Sequence, residues 1–222
     1  MILGHSLNIM ATVDFSLLHP FSLICAGPSG SGKSSLLVRL LKERDLINFP
    51  INTVLYIYTH FEPEFFNIQE NDPLVVFSNN IQDIDSFNTI DSLIIIDDCL
   101  QYLSNDKYRQ LIEHYFIQKS HHSRISIICV LQNLFPKQLR TIAINVHYLI
   151  LFNFPRDKTS VTRIACQCSP ENSKFITDAY QKACSRKTFG YLVLDFSPKS
   201  TNGKYWVRSN LFPDSDCEIY VQ

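Results

Sequence analysis

Five short runs of apolar and β-branched residues recur along the chain, separated by stretches with helical periodicity. Runs without polar alternation are typical of strands buried on both faces of a parallel sheet. Strands that alternate with helices in this way predict an α/β fold, with a mostly parallel sheet and helices on both faces. The predicted strands are Phe21–Ala26, Thr53–Tyr58, Leu93–Ile96, Ile125–Leu131 and His147–Phe152.

The segments between and after these strands carry two helix signals and one hairpin signal. Ser104 is a candidate N-cap for a helix whose apolar stripe runs through residues 108–116 at i, i+3, i+4 spacing. Ser169 precedes a Pro-Glu pair and is expected to begin another helix. Gly190–Phe196 and Lys204–Ser209 flank a turn-rich segment, which predicts a C-terminal β-hairpin over about residues 190–209.

The length and composition are those of one globular domain. The 222 residues are 45% hydrophobic and 18% charged, which supports a sizeable core and excludes disordered and coiled-coil classes. We interpret residues 1–20 as an N-terminal extension and residues 21–222 as a single domain. The chain has no secretory leader pattern and no run of 18 apolar residues, so we expect no membrane partner. Seven cysteines without paired spacing indicate a reducing, intracellular compartment.

The near-neutral net charge of −1 hides a strong asymmetry along the chain. Residues 1–100 hold 4 Lys+Arg and 12 Asp+Glu, whereas residues 101–222 hold 16 and 9. A basic half is typical of a polyanion partner, although the same residues could instead scatter over an outer surface. The candidate contacts to DNA phosphates are Arg156, Lys158, Arg163, Lys182, Arg186, Lys187, Lys199, Lys204 and Arg208.

The segment Gly27–Ser34 matches the phosphate-loop pattern G-x-x-x-x-G-K-[ST], directly between the first predicted strand and a helix-like run. Its glycines let successive N–H groups converge on a β-phosphate at the positive end of the following helix. Lys33 is expected to reach the β and γ oxygens, and Ser34 to ligate Mg²⁺, so the predicted cofactors are ATP and Mg²⁺. The alternative is a Gly/Ser-rich turn with an exposed lysine. The predicted nucleotide-binding residues are Gly27, Pro28, Ser29, Gly30, Ser31, Gly32, Lys33, Ser34 and Ser35.

Two carboxylates follow the third predicted strand at the point where its apolar run stops. We expect Asp97 to hold Mg²⁺ and Asp98 to orient the water that attacks the γ-phosphate. The alternative is a pair of carboxylates that caps a turn. Many enzymes of this type place Glu at the second position, so the shorter Asp98 predicts slower hydrolysis or a different geometry.

Three further side chains are candidates for the chemical step. Gln132 follows the strand Ile125–Leu131 and could contact both the γ-phosphate and the attacking water, or be a satisfied amide in a strand-end loop. Transition-state charge usually requires a further cation, and Arg124 or Arg140 could enter a neighbouring subunit as an arginine finger. A solvated or DNA-facing arginine is the alternative for both.

The order of these segments resembles the FtsK-HerA superfamily, and within it the genome-packaging ATPases of Maverick/Polinton transposons and adintoviruses, which are related to poxvirus packaging ATPases. The likeness covers about residues 20–210. The stretches that carry it are Gly27–Ser34, Leu93–Asp98, Arg124–Phe135, Arg140–Asn145, His147–Tyr148 and Phe152–Asp157.

This resemblance implies an additional-strand P-loop core, in which the strand before Gln132 lies between the strands that carry the phosphate loop and the acidic pair. It also implies a homo-oligomeric ring that translocates double-stranded DNA into capsids, with a capsid or portal protein as partner. Assembly in the nucleus or at a virion assembly site is expected for such a protein. We expect no extra domain beyond this core, in contrast to other members of the superfamily, so the DNA contacts would come from core loops or from another protein.

Two other readings of the phosphate loop stay open. The loop also resembles that of guanylate kinases, although the chain has no segment that looks like an arginine-rich lid. It could also hold ATP as a structural ligand in a non-catalytic assembly protein. An ABC-type subunit is disfavoured because no Leu-Ser-Gly-Gly-Gln sequence occurs.

Overall fold

The computed structural model describes residues 15–87, 89–98, 100–119, 123–134, 140–198, 206–212 and 217–221. Within these ranges nine strands form one sheet. The strands are β1 Ser22–Ala26, β2 Thr53–Ile57, β3 Val75–Ser78, β4 Ser92–Ile96, β5 Ile125–Leu131, β6 Tyr148–Phe152, β7 Tyr191–Asp195, β8 Val207–Arg208 and β9 Ile219–Tyr220.

The sheet order is β3-β2-β4-β5-β1-β6-β7-β8-β9. All neighbours from β3 to β6 pair in parallel, and β7, β8 and β9 add antiparallel pairs at one end. The mostly parallel sheet is therefore confirmed. The pairing of β7 with β8 forms the predicted C-terminal hairpin, whose connecting segment lies largely outside the described residues.

Helices cover both faces of the sheet, as predicted, because each buried strand needs apolar cover on both sides. Two clusters of buried apolar side chains result, one on each face of the sheet. One cluster includes residues of α1 and α2, and the other includes residues of α3 and the later helices of the described chain. The helices are α1 Lys33–Lys42, α2 Pro63–Asn71, α3 Asp83–Ser86, α4 Leu100–Leu103, α5 Asp106–His114, α6 Arg140–Ile144, α7 Lys158–Cys168 and α8 Ser173–Ser185.

The two predicted helix starts differ in how closely the structure follows them. The N-cap of α5 is Asn105, not Ser104, because the Asn105 side chain accepts hydrogen bonds from the N–H groups of Lys107 and Tyr108. The helical segment expected at Ser169 does begin there, with Ser169 at the N-cap position, but its first turn, Pro170–Asn172, is a 3₁₀ helix and α8 follows it.

The segment before β1 is packed into the domain from Phe15 onward. Leu17 is completely buried, and its N–H donates to the carbonyl of Leu46. Residues 1–14 of the predicted N-terminal extension lie outside the described residues. Among the helices that the structure describes, none has the length and apolar character needed to cross a bilayer.

Candidate nucleotide site

The candidate site is a cleft of about 410 Å³ at the carboxyl ends of three adjacent strands, β4, β5 and β1. Loops that leave parallel strands at this edge converge, because every parallel strand ends on the same side of the sheet. The predicted residues that line the cleft are Ser29, Gly30, Gly32, Lys33, Ser34, Ser35, Asp97, Asp98 and Gln132.

The phosphate loop is anchored to the sheet at its first residue. The Gly27 N–H donates to the carbonyl of Leu131 at 3.0 Å, which extends the pairing of β1 with β5. A Cβ on Gly27 would lie 2.6 Å from Cβ of Phe152, so no larger residue fits there without a shift. Gly30 and Gly32 have φ of 74° and 99°, the left-handed region that glycine adopts without strain.

Lys33 is the first residue of α1 and is held inside the loop. Its Nζ donates to the carbonyl of Pro28 at 2.8 Å, and the side chain is buried. Burial lowers the pKa of Lys33, while the nearby carboxyl groups of Asp97 and Asp98 act in the opposite direction. The ammonium group is therefore poorly solvated and faces the cleft where phosphate oxygens would stabilise its charge.

Asp97 is the residue after β4, and two groups of the neighbouring strand β2 hold it. Its N–H donates to the carbonyl of Ile57 at 2.8 Å, and Oδ2 accepts a hydrogen bond from the hydroxyl of Tyr56 at 3.0 Å. Burial raises the pKa of Asp97, and hydrogen bonds from the Tyr56 hydroxyl and from the Asp98 backbone oppose this shift. A carboxylate has about four lone-pair sites, so these donors leave it able to bind a cation.

Asp98 and Gln132 contact each other across the ends of β4 and β5. Nε2 of Gln132 donates to Oδ2 of Asp98 at 3.1 Å. Asp98 has φ of 54°, so the chain turns sharply there and directs the carboxyl group into the cleft. These two groups are therefore close enough to act on one water molecule, which is the geometry that their predicted roles need.

Mg²⁺ fits the chemistry of this cleft. The ion prefers oxygen ligands and usually retains several waters beside one or two protein groups and the phosphates. The Ser34 hydroxyl and the Asp97 carboxylate line the same cleft and supply such oxygens. When bound, the ion would neutralise phosphate charge.

Arg124, one of the two predicted arginine fingers, does not line the cleft of its own chain. Arg124 directly precedes β5 and is at the opposite edge of the sheet from Gln132. Its Nε pairs with Oδ1 of Asp91 at 2.7 Å, and its guanidinium lies 4.6 Å above the ring centroid of Phe49. Arg140 begins α6, and its side chain lies outside the described structure.

Sequence patterns did not identify several residues of the site. Thr59, His60 and Glu62 line the cleft because they follow β2, the strand beside β4. The sequence could have predicted their position, because residues that follow parallel strands gather at one edge of the sheet. Phe189 lines the cleft from the loop after α8, and Tyr56 supports Asp97 from inside the sheet. No local sequence signal marks these two.

The predicted DNA-contacting residues differ widely in their exposure. Arg208 is 1% exposed and pairs with Asp195 at 3.3 Å, so the prediction that it contacts phosphates is wrong. It is buried because it lies in β8, which pairs with β7 inside the sheet, so that Arg208 is opposite Val193. Arg186 is exposed and forms an ion pair with Glu218. Lys199 and Lys204 lie outside the described residues, and the other exposed members are Arg156, Lys158, Arg163, Lys182 and Lys187.

No protein-family model matches the chain, and no curated protein matches it in sequence. Solved structures match its fold. The DNA-packaging ATPase B204 from Sulfolobus Turreted Icosahedral Virus aligns with a TM-score of 0.53 and 17% identity, over 80% of this chain and 93% of that one. B204 from Sulfolobus turreted icosahedral virus 2, in complex with AMPPCP, aligns with a TM-score of 0.53 and 16% identity, over 79% of this chain and 92% of that one. The cytoplasmic domain of the Thermomonospora curvata Type VII secretion ATPase EccC aligns with a TM-score of 0.53 and 14% identity, over 90% of this chain and 25% of that one.

The chain has the P-loop NTPase fold. The β5 strand lies between β4 and β1, which is the additional-strand arrangement expected from the sequence. At these identities the likeness shows the fold alone, and the roles of the individual site residues stay predictions.

Proposed function

We propose that the chain is an ATP-hydrolysing motor of the FtsK-HerA type that drives double-stranded DNA into capsids of a Maverick/Polinton-like virus or transposon. The observation that carries this proposal is the meeting of Lys33, Asp97, Asp98 and Gln132 in one cleft. The packaging function of the B204 proteins, which have the same fold, adds support.

In the proposed reaction each side chain acts on a different part of ATP. The N–H groups of Gly27–Ser34 and the Lys33 ammonium would bind the β- and γ-phosphates. Asp97 and Ser34 would hold Mg²⁺. Asp98 would orient the attacking water, and the Gln132 amide would contact that water and Asp98 together. The phosphate oxygens of ATP would pair with the poorly solvated ammonium group of Lys33 and stabilise its charge, which favours ATP binding in the cleft.

A second pocket of about 210 Å³ adjoins the cleft and suits the nucleoside. Gly32, Ser35 and Phe189 line both cavities, so a ligand can extend from one into the other. The walls include Phe152 and Phe212, and apolar walls with a few polar groups are typical of sites that bind a planar base.

The transition state needs a cation in addition to Lys33, the single Lys or Arg among the described residues that line the cleft. A neighbouring subunit of a ring would supply it, through Arg124 or Arg140. For Arg124 this requires the loss of its ion pair with Asp91. Mixing Arg124→Ala subunits with Lys33→Ala subunits tests this role, and partial recovery of hydrolysis is expected if Arg124 acts across an interface.

Phosphate release, measured with and without double-stranded DNA, tests the proposed function. We expect ATP hydrolysis that DNA accelerates, with a steep loss of the acceleration as salt rises. Lys33→Ala should reduce hydrolysis to background, while Lys42→Ala, an exposed lysine of the same helix, should retain it.

Two results would contradict the motor. Phosphate transfer that depends on a nucleoside monophosphate acceptor would indicate a small nucleotide kinase. ATP binding without hydrolysis, with or without DNA, would indicate a non-catalytic assembly protein. A capsid or portal partner and assembly in the nucleus or at a virion assembly site belong to the same proposal.

A further inference from the structure

One end of the sheet is built from a segment without positive side chains, and Lys42 and Arg44 from the end of α1 and the residues after it form ion pairs with two of its carboxylates, Glu64 and Asp72. Residues 45–106 contain no Lys or Arg and eleven Asp or Glu. They form β2, β3 and β4 together with α2 and α3, and β3 is the outermost strand at this end. We call α2, β3 and α3, with the segments that join them (residues 61–87), the acidic edge. Glu70 on α2 and Asp85 on α3 are exposed on either side of β3.

The acidic edge also exposes large apolar side chains. Phe66 is 63% exposed, and its ring contacts that of Phe61 with 4.7 Å between centroids. Leu74 and Val76 are also more than two-fifths exposed, and within the described residues no strand pairs with the outer side of β3. Clustered aromatic residues within a charged rim are typical of a surface that a protein partner covers.

The opposite end of the sheet carries the complementary charge. Helices α7 and α8 pack against each other, and α8 packs on β7. Residues 156–187, which include both helices, hold seven Lys or Arg and three Asp or Glu. We call this region the basic surface. Arg163 on α7 and Lys182 on α8 are exposed members of it.

We propose that the acidic edge of one copy docks on the basic surface of a second copy. Opposite charge favours this orientation, because two acidic edges or two basic surfaces would repel each other. Burial of the exposed aromatic and aliphatic groups of the acidic edge supplies the apolar part of the contact. The two surfaces are at opposite ends of one sheet, so the contact is head-to-tail and can propagate into a ring.

This contact would form the interface between neighbouring subunits of the proposed ring. Only the closure of the contact into a ring rests on the proposed function. It needs neither hydrolysis nor DNA, so the mass of the assembly tests it separately from phosphate release. Glu62, which belongs to the acidic edge, lines the nucleotide cleft, so the second copy would lie at the rim of the cleft.

Charge reversal provides the test. Glu70→Lys with Asp85→Lys changes the net charge of the acidic edge from −6 to −2, and Arg163→Glu with Lys182→Glu changes that of the basic surface from +4 to 0. By sedimentation velocity at low salt, we expect the wild type as a multiple of the 25.6 kDa chain and each double variant at a smaller mass than the wild type. An equimolar mixture of the two double variants should be heavier than either alone, because the unaltered basic surface of one variant can bind the unaltered acidic edge of the other.

The controls separate a lost contact from a lost fold. Lys107→Glu reverses an exposed charge outside both surfaces and should leave the mass unchanged. Each variant should keep the circular dichroism spectrum of the wild type, and the quadruple variant, in which the reversed positions again meet opposite charges, should be heavier than either double variant. A monomeric wild type, a mixture no heavier than the double variants, or double variants that both keep the wild-type mass would overturn the proposal. Loss of DNA binding by the Arg163 and Lys182 variant with its mass unchanged would assign the basic surface to DNA instead.

Discussion

Tyr56→Phe removes one oxygen atom from the sheet and should weaken Mg²⁺ binding at a neighbouring strand. The Tyr56 hydroxyl donates to Oδ2 of Asp97 at 3.0 Å, and the ring is completely buried, so phenylalanine fits the same space. Without this donor the carboxylate keeps the backbone hydrogen bond from Asp98 but loses one that orients it and favours its charged form, while burial continues to raise its pKa.

The expected size of the effect follows from the kind of bond removed. A hydrogen bond to a charged group contributes about 1.5–3 kcal/mol, which corresponds to about 10- to 100-fold in an equilibrium constant. Loss of a group that orients a metal ligand typically costs about the same factor in metal affinity. We therefore expect the Mg²⁺ concentration for half-maximal binding of a fluorescent ATP analogue to rise by about 10- to 100-fold.

Tyr115→Phe is the matched control for this measurement. Tyr115 is also buried, and its hydroxyl donates to the carbonyl of Ile84 at 2.7 Å, away from the cleft. It should lower thermal stability without a change in the Mg²⁺ requirement. If the requirement of Tyr56→Phe stays within about twofold of the wild type, or if both variants change it equally, Tyr56 does not position Asp97.

Three further predictions concern the same cleft. Gln132→Ala should lower kcat by about 10²- to 10³-fold with little change in ATP affinity, and an unchanged kcat in phosphate-release assays would remove Gln132 from the chemical step. Gly32→Ala should unfold at a lower temperature than Gly30→Ala by differential scanning fluorimetry, because both have positive φ but only the first new Cβ meets Phe189, at 3.1 Å. Asp97→Asn should raise the unfolding temperature at pH 7 while hydrolysis is lost. Because burial raises the native pKa of Asp97 above its ordinary 3.8, this residue lowers stability as pH rises from that value through the native pKa, and the variant should lack this decrease.

The sheet and the phosphate loop were predictable because their signals are local. A buried parallel strand reads as a continuous apolar run, and the loop pattern fixes where β1 ends and α1 begins. Asp98 and Gln132 could be placed near each other because both follow parallel strands. The contact between them required only that β4 and β5 be neighbours.

The errors arose where a neighbour in space decides the outcome. Ser104 and Asn105 are both good N-caps, and only the hydrogen bonds of the folded turn select Asn105. Arg208 looks like a surface cation in the sequence, but in the folded sheet its side chain is buried in an ion pair with Asp195 of the neighbouring strand. Tyr56 reads as one more apolar residue of a buried strand, and its role depends on the carboxyl group that follows β4.

The uneven distribution of lysine has a practical consequence for chemical labelling. Reagents that modify primary amines have no side-chain target between Arg44 and Lys107, so they will mark mainly the α7 and α8 end, and near β3 they can reach Lys42, which pairs with Glu64 of α2. Trypsin cuts only after lysine and arginine, and the whole interval, including Asp97 and Asp98, is released as one long fragment from the denatured chain. Coupling amines to carboxyl groups in an assembled sample should therefore join that fragment to peptides from residues 156–187, and mass spectrometry can read the orientation of adjacent copies directly.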